Sequence, residues 1–324
     1  MASQLIAGVD LGGTHFQVGI VDPDNRIVAR RAGKTNASKG ADAVLDAMAD
    51  AINDAANEAG GPPAAVGIAA PGACDVKQGI VLQTGNLGWV DFPLAQHMQQ
   101  RLGASVAIAI DNDVNAAVFG ECQLGAAKGT GSALGVWVGT GIGAGIVVND
   151  DVFYGPLWTA GEFGQQILTP HALTGEQRVE YACSRNAVTK RLIKLLEMQL
   201  PSAVPEILRE MESTDDLRRI NAAVLAQAYT RGDELTRTVI HESADLLGIA
   251  IANACTLLAI PTILLGGGLS EALANPYRDR IAATANKHVF PASHADQLDF
   301  RLTNLRENAG LLGAAMLARR RIDG

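Results

Sequence analysis

Short apolar runs alternate along the chain with segments in which apolar residues recur every three or four positions. The runs predict strands, and the segments between them predict helices. Residues 5–31 contain three apolar runs, separated by a glycine turn and by an Asp-Asn turn at 22–25, which is typical of three successive strands. In residues 41–59 the apolar positions recur every three or four residues. This segment therefore predicts a helix that ends at the Gly-Gly-Pro-Pro sequence after it.

The same pattern continues toward the middle of the chain. Strands are predicted at "AVGIAA" (65–70) and "SVAIAI" (105–110), with a helix around "AQHMQQRL" between them. The unit "GVDLGGTHFQVGIV" (8–21) then aligns with "GVWVGTGIGAGIVV" (135–148), glycine on glycine at several positions. This repeat predicts two related halves, each a β-sheet covered by helices, and a chance similarity of two glycine hairpins is the alternative.

The second half of the chain is predicted to be mainly helical. A helix over 174–197 begins with Thr174 and Gln177 at the spacing of a capping box. The periodicity from 233 to 259 predicts a longer helix. It leads into "PTILLGGGLSEAL", which predicts a buried strand, a glycine turn and a new helix, and a short helix follows in "AGLLGAAMLARRR".

The composition fits about two domains with packed cores. The chain has 324 residues, of which 48% are hydrophobic and 19% charged, and ~100 to 200 residues per domain are usual. The net charge of -8 and the isoelectric point near 5.3 disfavour binding to nucleic acid or to an anionic membrane. Either partner would require a basic surface, so neither is expected.

Cysteine usage and the N-terminal sequence favour a cytoplasmic protein. Cys74, Cys122, Cys183 and Cys255 are far apart and form no C-x-x-C pair, which is typical of reduced, buried thiols. The N-terminus lacks the basic start and apolar stretch of a signal peptide. No run of ~18 uninterrupted apolar residues predicts a transmembrane helix.

Three glycine turns each follow a short apolar strand: "DLGGT" (10–14), "GTGIG" (139–143) and "GGGLS" (266–270). The backbone N–H groups of such turns can approach a phosphate closely, so the three together favour a nucleotide site. "GTGIGA" also satisfies the dinucleotide fingerprint, with Glu162 at the position of the ribose-binding acid. However, β-branched residues follow it where that fingerprint requires a helix, which disfavours a dehydrogenase. The sequence has no G-x-x-x-x-G-K-[ST] loop.

Acidic residues lie at the ends of two predicted strands. Phosphoryl transfer to an alcohol needs a phosphate cradle, Mg²⁺ and a carboxylate that accepts the hydroxyl proton. Asp10 follows the first strand and is placed to hold Mg²⁺ directly or through water. Asp113, in "AIDNDVNAAVFGE" (109–121), is the candidate base. The alternative is that Asp111 or Asp113 only caps the helix that follows.

Eight motifs together resemble the ROK family of sugar kinases (repressor, open reading frame, kinase). They occur in the family's order and span nearly the whole chain: "DLGGTHFQVGIVD", "GIAAPGACDVKQGIV", "TGNLGWVDFPL", "DNDVNAAVFGE", "GVWVGTGIGAGIVV", "AGEFG", "LLGGGLS" and "AGLLGAA". The resemblance implies an α/β fold of the actin-like ATPase (ribonuclease H-like) type. In this fold two domains, each with a duplicated mixed β-sheet and flanking helices, close a cleft over sugar and ATP. Residues 1–117 and about 310–324 would form the small domain, and 118–309 the large domain with the dimer surface.

The resemblance also implies roles for individual residues. Asp113 matches the family's general base, and Asn112 matches its neighbour on the sugar. The other matches to sugar-contacting positions are Gly72, Asn86, Glu162 and Glu180. The matches to nucleotide-binding positions are Gly12, Gly13 and Thr14 in the first phosphate loop, Thr140 and Gly141 in the second, and Gly267 and Gly268 in the adenosine segment.

One segment departs from the family pattern. The family often has a histidine and three cysteines that bind a structural zinc, whereas here the sequence is "GEFGQQILTPHALTGEQRVE", with Gln165 in place of the histidine and no cysteine. A tetrahedral zinc site cannot be built from these residues, so no structural zinc is expected. His171 is nearby, but a lone loop histidine is more often solvated than a ligand. Because the missing histidine also touches the sugar, Gln165 leaves the identity of the sugar open.

These observations predict an ATP- and Mg²⁺-dependent hexose kinase, with glucose as the leading substrate and its 6-hydroxyl as the acceptor. Fructose, mannose or an N-acetylhexosamine would suit the same residues. A sugar-sensing transcription regulator is disfavoured, because the first strand starts near Leu5 and leaves no room for a helix-turn-helix domain. A sugar-binding relative without catalysis is the other alternative. The family suggests a homodimer.

Overall fold

The chain folds into strands and helices in the predicted alternation. A computed structural model describes residues 4–173 and 176–323. The chain forms two compact units, each discontinuous in sequence. Unit 1 contains Met1–Gly131, Gly145–Gly161 and Glu307–Gly324, and unit 2 contains Ser132–Ala144 and Glu162–Arg306. The small and large domains implied by the family resemblance stay a proposal.

Thirteen strands and ten helices are present in the described residues. The strands are β1 (Ile6–Leu11), β2 (His15–Val21), β3 (Ile27–Lys34), β4 (Ala65–Ala70), β5 (Ala73–Asp75), β6 (Ile80–Gln83), β7 (Val90–Phe92), β8 (Ala107–Asn112), β9 (Ala133–Val138), β10 (Ile142–Val148), β11 (Asp151–Val152), β12 (Thr262–Gly266) and β13 (Asp299–Leu302). The helices are α1 (Ala41–Ala59), α2 (Leu94–Leu102), α3 (Asp113–Leu124), α4 (Val179–Cys183), α5 (Arg185–Glu197), α6 (Val204–Glu212), α7 (Ala222–Thr230), α8 (Glu234–Leu258), α9 (Gly268–His288) and α10 (Ala309–Asp323).

The first sheet has the strand order β3-β2-β1-β4-β8. The three strands predicted in residues 5–31 are confirmed as antiparallel neighbours, joined by the glycine turn and the Asp-Asn turn. β1, β4 and β8 run parallel, so helical crossovers must connect them, and α1 and α2 lie in those connections. β4 is buried at every position, which fits a strand in the middle of a covered sheet. A small sheet, β5-β6-β7, lies between β4 and β8 in sequence.

The second large sheet has the order β11-β10-β9-β12-β13 and repeats the succession of the first. β12 runs parallel to β9 and to β13, as β4 does to β1 and β8. The predicted duplication is therefore confirmed, with β9 and β10 in the places of β1 and β2. The residues after "GTGIG" form strand β10, so the dinucleotide fingerprint opens no helix here.

Most predicted helices are confirmed, and their ends follow the side chains at their caps. The helix expected over 41–59 is α1. The helix expected from 233 to 259 is α8, which begins after Asp233, whose carboxylate accepts a hydrogen bond from the backbone N of Thr236 at 2.9 Å. It ends at Ala259, which has a left-handed backbone conformation. The turn and helix after β12 are also present, as α9.

The single helix predicted over 174–197 is wrong, because two helices, α4 and α5, meet at Ser184. Ser184 is extended, with φ -67° and ψ 159°, and its hydroxyl accepts a hydrogen bond from the backbone N of Ala187 at 3.2 Å. It therefore caps α5 and interrupts the helical backbone, although the apolar periodicity continues across it. Thr174 of the predicted capping box lies outside the described residues, and the side chain of Gln177 donates to Pro170 O at 2.8 Å.

Helix α10 packs directly against the backbone of the first sheet and of α3. A Cβ atom at Gly67 of β4 would lie 1.9 Å from the carbonyl oxygen of Ala314. A Cβ at Gly313 would lie 1.7 Å from the carbonyl oxygen of Ala116 in α3. Only glycine allows backbones to approach this closely, so these positions fix α10 on the sheet.

The described parts of the chain, 4–173 and 176–323, contain no helix with the length and apolar character that a membrane crossing needs. The four cysteines are buried free thiols, as predicted.

Candidate active site

The carboxyl ends of three parallel strands lie side by side at one edge of the first sheet. In the register of β1, β4 and β8, Asp10 pairs with Ala69 and Ala70 pairs with Asn112. The segments that follow these strands are therefore neighbours, and this edge of an α/β sheet is the usual place for a ligand. These segments contain Gly12 and Gly13 after β1, Gly72 after β4, and Asp113 after β8.

Asn112 caps helix α3. Its Oδ1 accepts hydrogen bonds from two backbone N–H groups of the first turn, at 2.9 and 3.0 Å. Its Nδ2 donates to Gly72 O and to Oδ1 of Asp113, both at 3.0 Å. Capping by Asp111 or Asp113 is therefore wrong, because β8 extends through Asn112 and Asp113 is already the first helical residue. The amide of Asn112 uses all its donors and acceptors within the protein.

The carboxylates of Asp113 and Asp10 are both partly buried at this edge. Burial and, to a smaller extent, the charge of Asp10 raise the pKa of Asp113 to about 7, although hydrogen bonds from Val114 N and Asn112 oppose the rise. Burial also raises the pKa of Asp10 to about 6. A carboxylate whose pKa lies near 7 can accept a proton efficiently at neutral pH, so Asp113 has the properties of a general base.

The first turn of α10 covers Asp10. A Cβ atom at Gly310 would lie 3.0 Å from Cγ and Oδ2 of Asp10. No donor among residues 4–173 and 176–323 forms a hydrogen bond with this carboxylate. Its oxygens are therefore left for water or a ligand.

Asp111 lies behind the site in a network that sequence reasoning missed. Its Oδ2 accepts a hydrogen bond from the hydroxyl of Tyr154, and its Oδ1 accepts from Asn112 N at 2.7 Å and Asn115 Nδ2 at 3.3 Å. Burial raises the pKa of Asp111 to about 6, and these hydrogen bonds oppose the rise. The network fixes the end of β8, immediately before the proposed base.

The remaining predicted residues of unit 1 surround the same edge. Gly72 has φ 91°, and a Cβ there would lie 2.0 Å from the carbonyl oxygen of Gln83, so the position requires glycine. The side chain of Asn86 covers Gly13, since a Cβ at Gly13 would lie 2.9 Å from Cβ of Asn86. Thr14 is exposed beside this loop. Unit 1 thus brings together the phosphate-loop and sugar positions that were predicted in it.

Two glycine turns lie at one edge of the second sheet, because β9 and β12 are parallel neighbours. Thr140 and Gly141 follow β9, and Thr140 is exposed. Gly267 follows β12 and has φ 83°. A Cβ atom at this position would lie 2.8 Å from the backbone N and O of Val138. No atom lies within 4 Å of the Cβ position of Gly268. The edge therefore offers open glycine backbone of the kind that phosphates and ribose approach.

Glu180 and Glu162 lie next to the second glycine turn. Oε2 of Glu180 accepts a hydrogen bond from Ile142 N at 3.0 Å, and a Cβ at Gly141 would lie 2.4 Å from the same oxygen. Burial raises the pKa of Glu162, and the charge of Glu180 raises it further. The two predicted sugar-binding acids of unit 2 are therefore close neighbours.

Arg185 contacts the same turn and was not predicted. Its Nη2 donates to the hydroxyl of Thr140 at 3.0 Å, and its backbone N donates to Gly139 O at 3.0 Å. A cavity of about 700 Å³ opens beside Thr140. Its polar lining includes Thr140, Glu176, Glu180, Ser184, Asn186, Lys190, Arg191 and Lys194.

The segment that departs from the family's zinc motif is held by hydrogen bonds. Gln165 Oε1 accepts from Arg178 Nη1 at 2.6 Å, and Ile167 forms a β-bridge with Arg178. Leu168 N and Thr169 N both donate to Gln177 O, at 2.8 and 3.1 Å. The segment supplies no thiolate, so its donor set does not fit a tetrahedral zinc. Within the described ranges, no group of three or more His, Cys, Asp or Glu side chains is arranged for a metal.

Comparison with known proteins agrees with this geometry. The chain is 27% identical to a glucokinase of Halalkalibacterium halodurans, over 98% of this chain and 96% of that one. It is also 26% identical to a xylose repressor of Caldicellulosiruptor bescii, over 76% of this chain and 60% of that one. Its structure matches a ROK family glucokinase from Streptomyces griseus in complex with glucose and AMPPNP, with a TM-score of 0.84, 28% identity, and 98% and 99% of the two chains covered.

Such structural neighbours have the actin-like ATPase fold, and the succession of strands in the two sheets described above is that of this fold. The model of the ROK family matches residues 6–321, which is nearly the whole chain. The protein belongs to the ROK family.

Proposed function

We propose that the protein is an ATP-dependent hexose kinase, with glucose as its most favoured substrate and glucose 6-phosphate as its product. The observation that carries the proposal is the position of Asp113. This carboxylate directly follows the carboxyl end of β8, has a pKa raised to about 7 and is oriented by Asn112. The glucokinase relatives support a hexose as the substrate.

In this proposal, Asp113 accepts the proton of the sugar hydroxyl as the hydroxyl oxygen attacks the γ-phosphorus of ATP. The bond between that phosphorus and the β,γ-bridging oxygen breaks, and ADP leaves with its electron pair. Asn112 holds the carboxylate in place and uses its own amide within the protein, so it acts on the sugar mainly through Asp113. Gly72, Asn86, Glu162 and Glu180 are the proposed sugar contacts. Because a base must lose its proton before it can act, the raised pKa sets the lower limit of the working pH.

Asp10 is the proposed holder of Mg²⁺. A magnesium ion in kinases takes one or two carboxylates together with substrate phosphates and water, and the carboxylate of Asp10, to which no described residue donates, fits that role. When bound, the ion would neutralise charge on the transferred phosphoryl group. Gly12, Gly13 and Thr14 in unit 1, and Thr140, Gly141, Gly267 and Gly268 in unit 2, are the proposed contacts of ATP.

The deciding experiment is a coupled assay with Mg-ATP over glucose, fructose, mannose, N-acetylglucosamine and N-acetylmannosamine. We expect turnover of at least one hexose, with the highest kcat/KM on glucose. Turnover highest on another of these sugars would correct the substrate and keep the kinase. No turnover on any of them would refute the kinase proposal.

A sugar-binding or regulatory protein without catalysis is the second candidate, since one relative is a xylose repressor. Isothermal titration distinguishes the two functions: sugar binding without phosphoryl transfer or ATP hydrolysis supports the second. The homodimer and the cytoplasmic location suggested by the sequence stay proposals, and light scattering of the purified protein measures the first.

A further inference from the structure

The guanidinium of Arg185 differs in its surroundings from those of most arginines of unit 2, which form ion pairs. Arg191 forms an ion pair with Glu242, and Arg280 forms one with Asp245. In the described part of the chain, by contrast, no carboxylate lies within 4.0 Å of the guanidinium of Arg185. A half-buried guanidinium without an anionic partner is well suited to bind an anion from solution.

The backbone and the side chain of Arg185 bind the second glycine turn at two adjacent points. The backbone N donates to Gly139 O, and Nη2 donates to Oγ1 of Thr140, each at 3.0 Å. The same Nη2 donates to Oδ1 of Asn186 at 3.3 Å. The guanidinium is therefore held against the turn in one orientation.

This arrangement leaves donors of Arg185 and Thr140 without a partner in the described residues. Nε and Nη1 of Arg185 form no hydrogen bond with residues 4–173 or 176–323. Since the hydroxyl of Thr140 already accepts from Arg185, its own hydrogen remains to be donated. Thr140 and Asn186, the two residues to whose side chains the guanidinium donates, both line the 700 Å³ cavity.

We propose that Arg185 binds the β- and γ-phosphates of the phosphoryl donor and orients the hydroxyl of Thr140 toward them. The guanidinium supplies charge-assisted hydrogen bonds that a glycine turn alone cannot supply. The role adds a residue to the donor side of the proposed kinase site, and in that sense it rests on the proposed function. The nucleotide affinity of the protein tests it without any need for turnover.

The experiment measures the Kd of ATP, ADP and AMP by isothermal titration for the wild type, Arg185→Ala, Arg185→Lys and Arg218→Ala. Arg218 is an exposed arginine of the same unit, paired with Asp216, and controls for the loss of one positive charge. Arg185→Ala removes hydrogen bonds to charged phosphates. We therefore expect its ATP affinity to be about 10- to 100-fold weaker than that of the wild type. We expect AMP affinity to change by no more than about threefold, because AMP lacks the phosphates in question.

The lysine variant should lie between the wild type and Arg185→Ala, since it keeps the charge and loses the fork of the guanidinium. Equal losses of ATP and AMP affinity in Arg185→Ala, or no loss in either, would overturn the proposal. A melting temperature measured for each variant reports any general unfolding. If the wild type binds ATP with this dependence on Arg185 but phosphorylates no sugar, the kinase proposal fails and the role of Arg185 stands. If the wild type binds no nucleotide, both fail.

Discussion

The side-chain nitrogen of Asn112 lies 3.0 Å from the carboxylate oxygen Oδ1 of Asp113, so the residue that caps helix α3 also orients the proposed base. Asp113→Asn should lower kcat by about 10²- to 10⁴-fold, the usual contribution of a general base. Sugar affinity, measured by titration, should change by less than about tenfold, since the shape of the side chain is kept. Asp50→Asn, an exposed change on α1, is the control. Near-normal kcat in Asp113→Asn would exclude Asp113 as the base.

The pH dependence of the reaction should follow Asp113. Its pKa is raised to about 7, and the carboxylate accepts a proton only when ionised, so kcat/KM should rise with pH and level off above about 7. Because the charge of Asp10 contributes to this rise, Asp10→Asn should lower the pKa of Asp113. Carboxyl-carbon NMR titration measures that pKa even if the variant is inactive. An unchanged pKa would contradict the predicted coupling of the two carboxylates.

Asp111→Asn should change how stability depends on pH. The pKa of Asp111 is raised from 3.8 to about 6, so the folded state holds this proton more tightly than the unfolded state does. The contribution of Asp111 to the stability of the wild type therefore falls as pH rises from about 4 to about 6. Asparagine has no proton to lose, and its amide can donate to Tyr154 in place of the lost acceptor. Relative to the wild type, the variant should gain roughly 2 kcal/mol between pH 4 and pH 8.

Urea unfolding of both proteins at several pH values measures this difference. Tyr154→Phe gives the opposite test. The hydroxyl of Tyr154 favours the ionised form of Asp111, so its removal should raise the pKa of Asp111. The fall in stability should then extend to higher pH. Parallel stability curves for the wild type and Asp111→Asn would show that Asp111 titrates alike in the folded and unfolded states.

The close contact between α10 and the first sheet predicts that the stability of the protein depends on glycine at position 67. Gly67→Ala would place a Cβ 1.9 Å from Ala314 O, so α10 or β4 must move, and unfolding free energy should fall by at least about 3 kcal/mol. Gly61→Ala is the matched control, because no atom lies within 4 Å of its Cβ position and its φ is not positive. The control should stay within about 0.5 kcal/mol of the wild type. Equal stability of the two variants would refute the close packing of α10.

The segment around Gln165 should be insensitive to chelators. Hydrogen bonds between Gln165 and Arg178, and between residues 168–169 and 177, hold it without a thiolate. We therefore expect the melting temperature to stay unchanged after treatment with 1,10-phenanthroline, and Arg178→Ala to increase amide hydrogen exchange in the segment. Stoichiometric zinc in the purified protein, or a fall in melting temperature on chelation, would contradict this prediction.

The sequence predicts the strands and glycine turns well, because periodicity and turn residues are local signals. It predicts wrong boundaries where two local signals compete. In "DNDV" three successive side chains can cap a helix, and only the path of β8 selects Asn112. At Ser184 the apolar periodicity continues although the backbone does not, so one helix was expected where two exist.

Contacts between residues far apart in sequence had no local signal. The hydroxyl of Tyr154 meets Asp111, and the guanidinium of Arg185 meets Thr140, only after the chain has folded. Nothing in the composition of either neighbourhood marks them as partners. These contacts position the proposed base and the second glycine turn. The residues that carry the proposed chemistry could therefore be predicted from the sequence, whereas the residues that hold them in place could not.

The packing of Gly310 against Asp10 has a consequence for the order of events during synthesis. Synthesis from the N-terminus produces β1 and Asp10 early, whereas α10, which covers them, follows the other nine described helices. All of unit 2, Ser132–Ala144 and Glu162–Arg306, precedes α10 and can reach its folded state first. Unit 1 is thus completed only after the chain of unit 2 has been made, and the face of its sheet on which α10 packs stays uncovered until then.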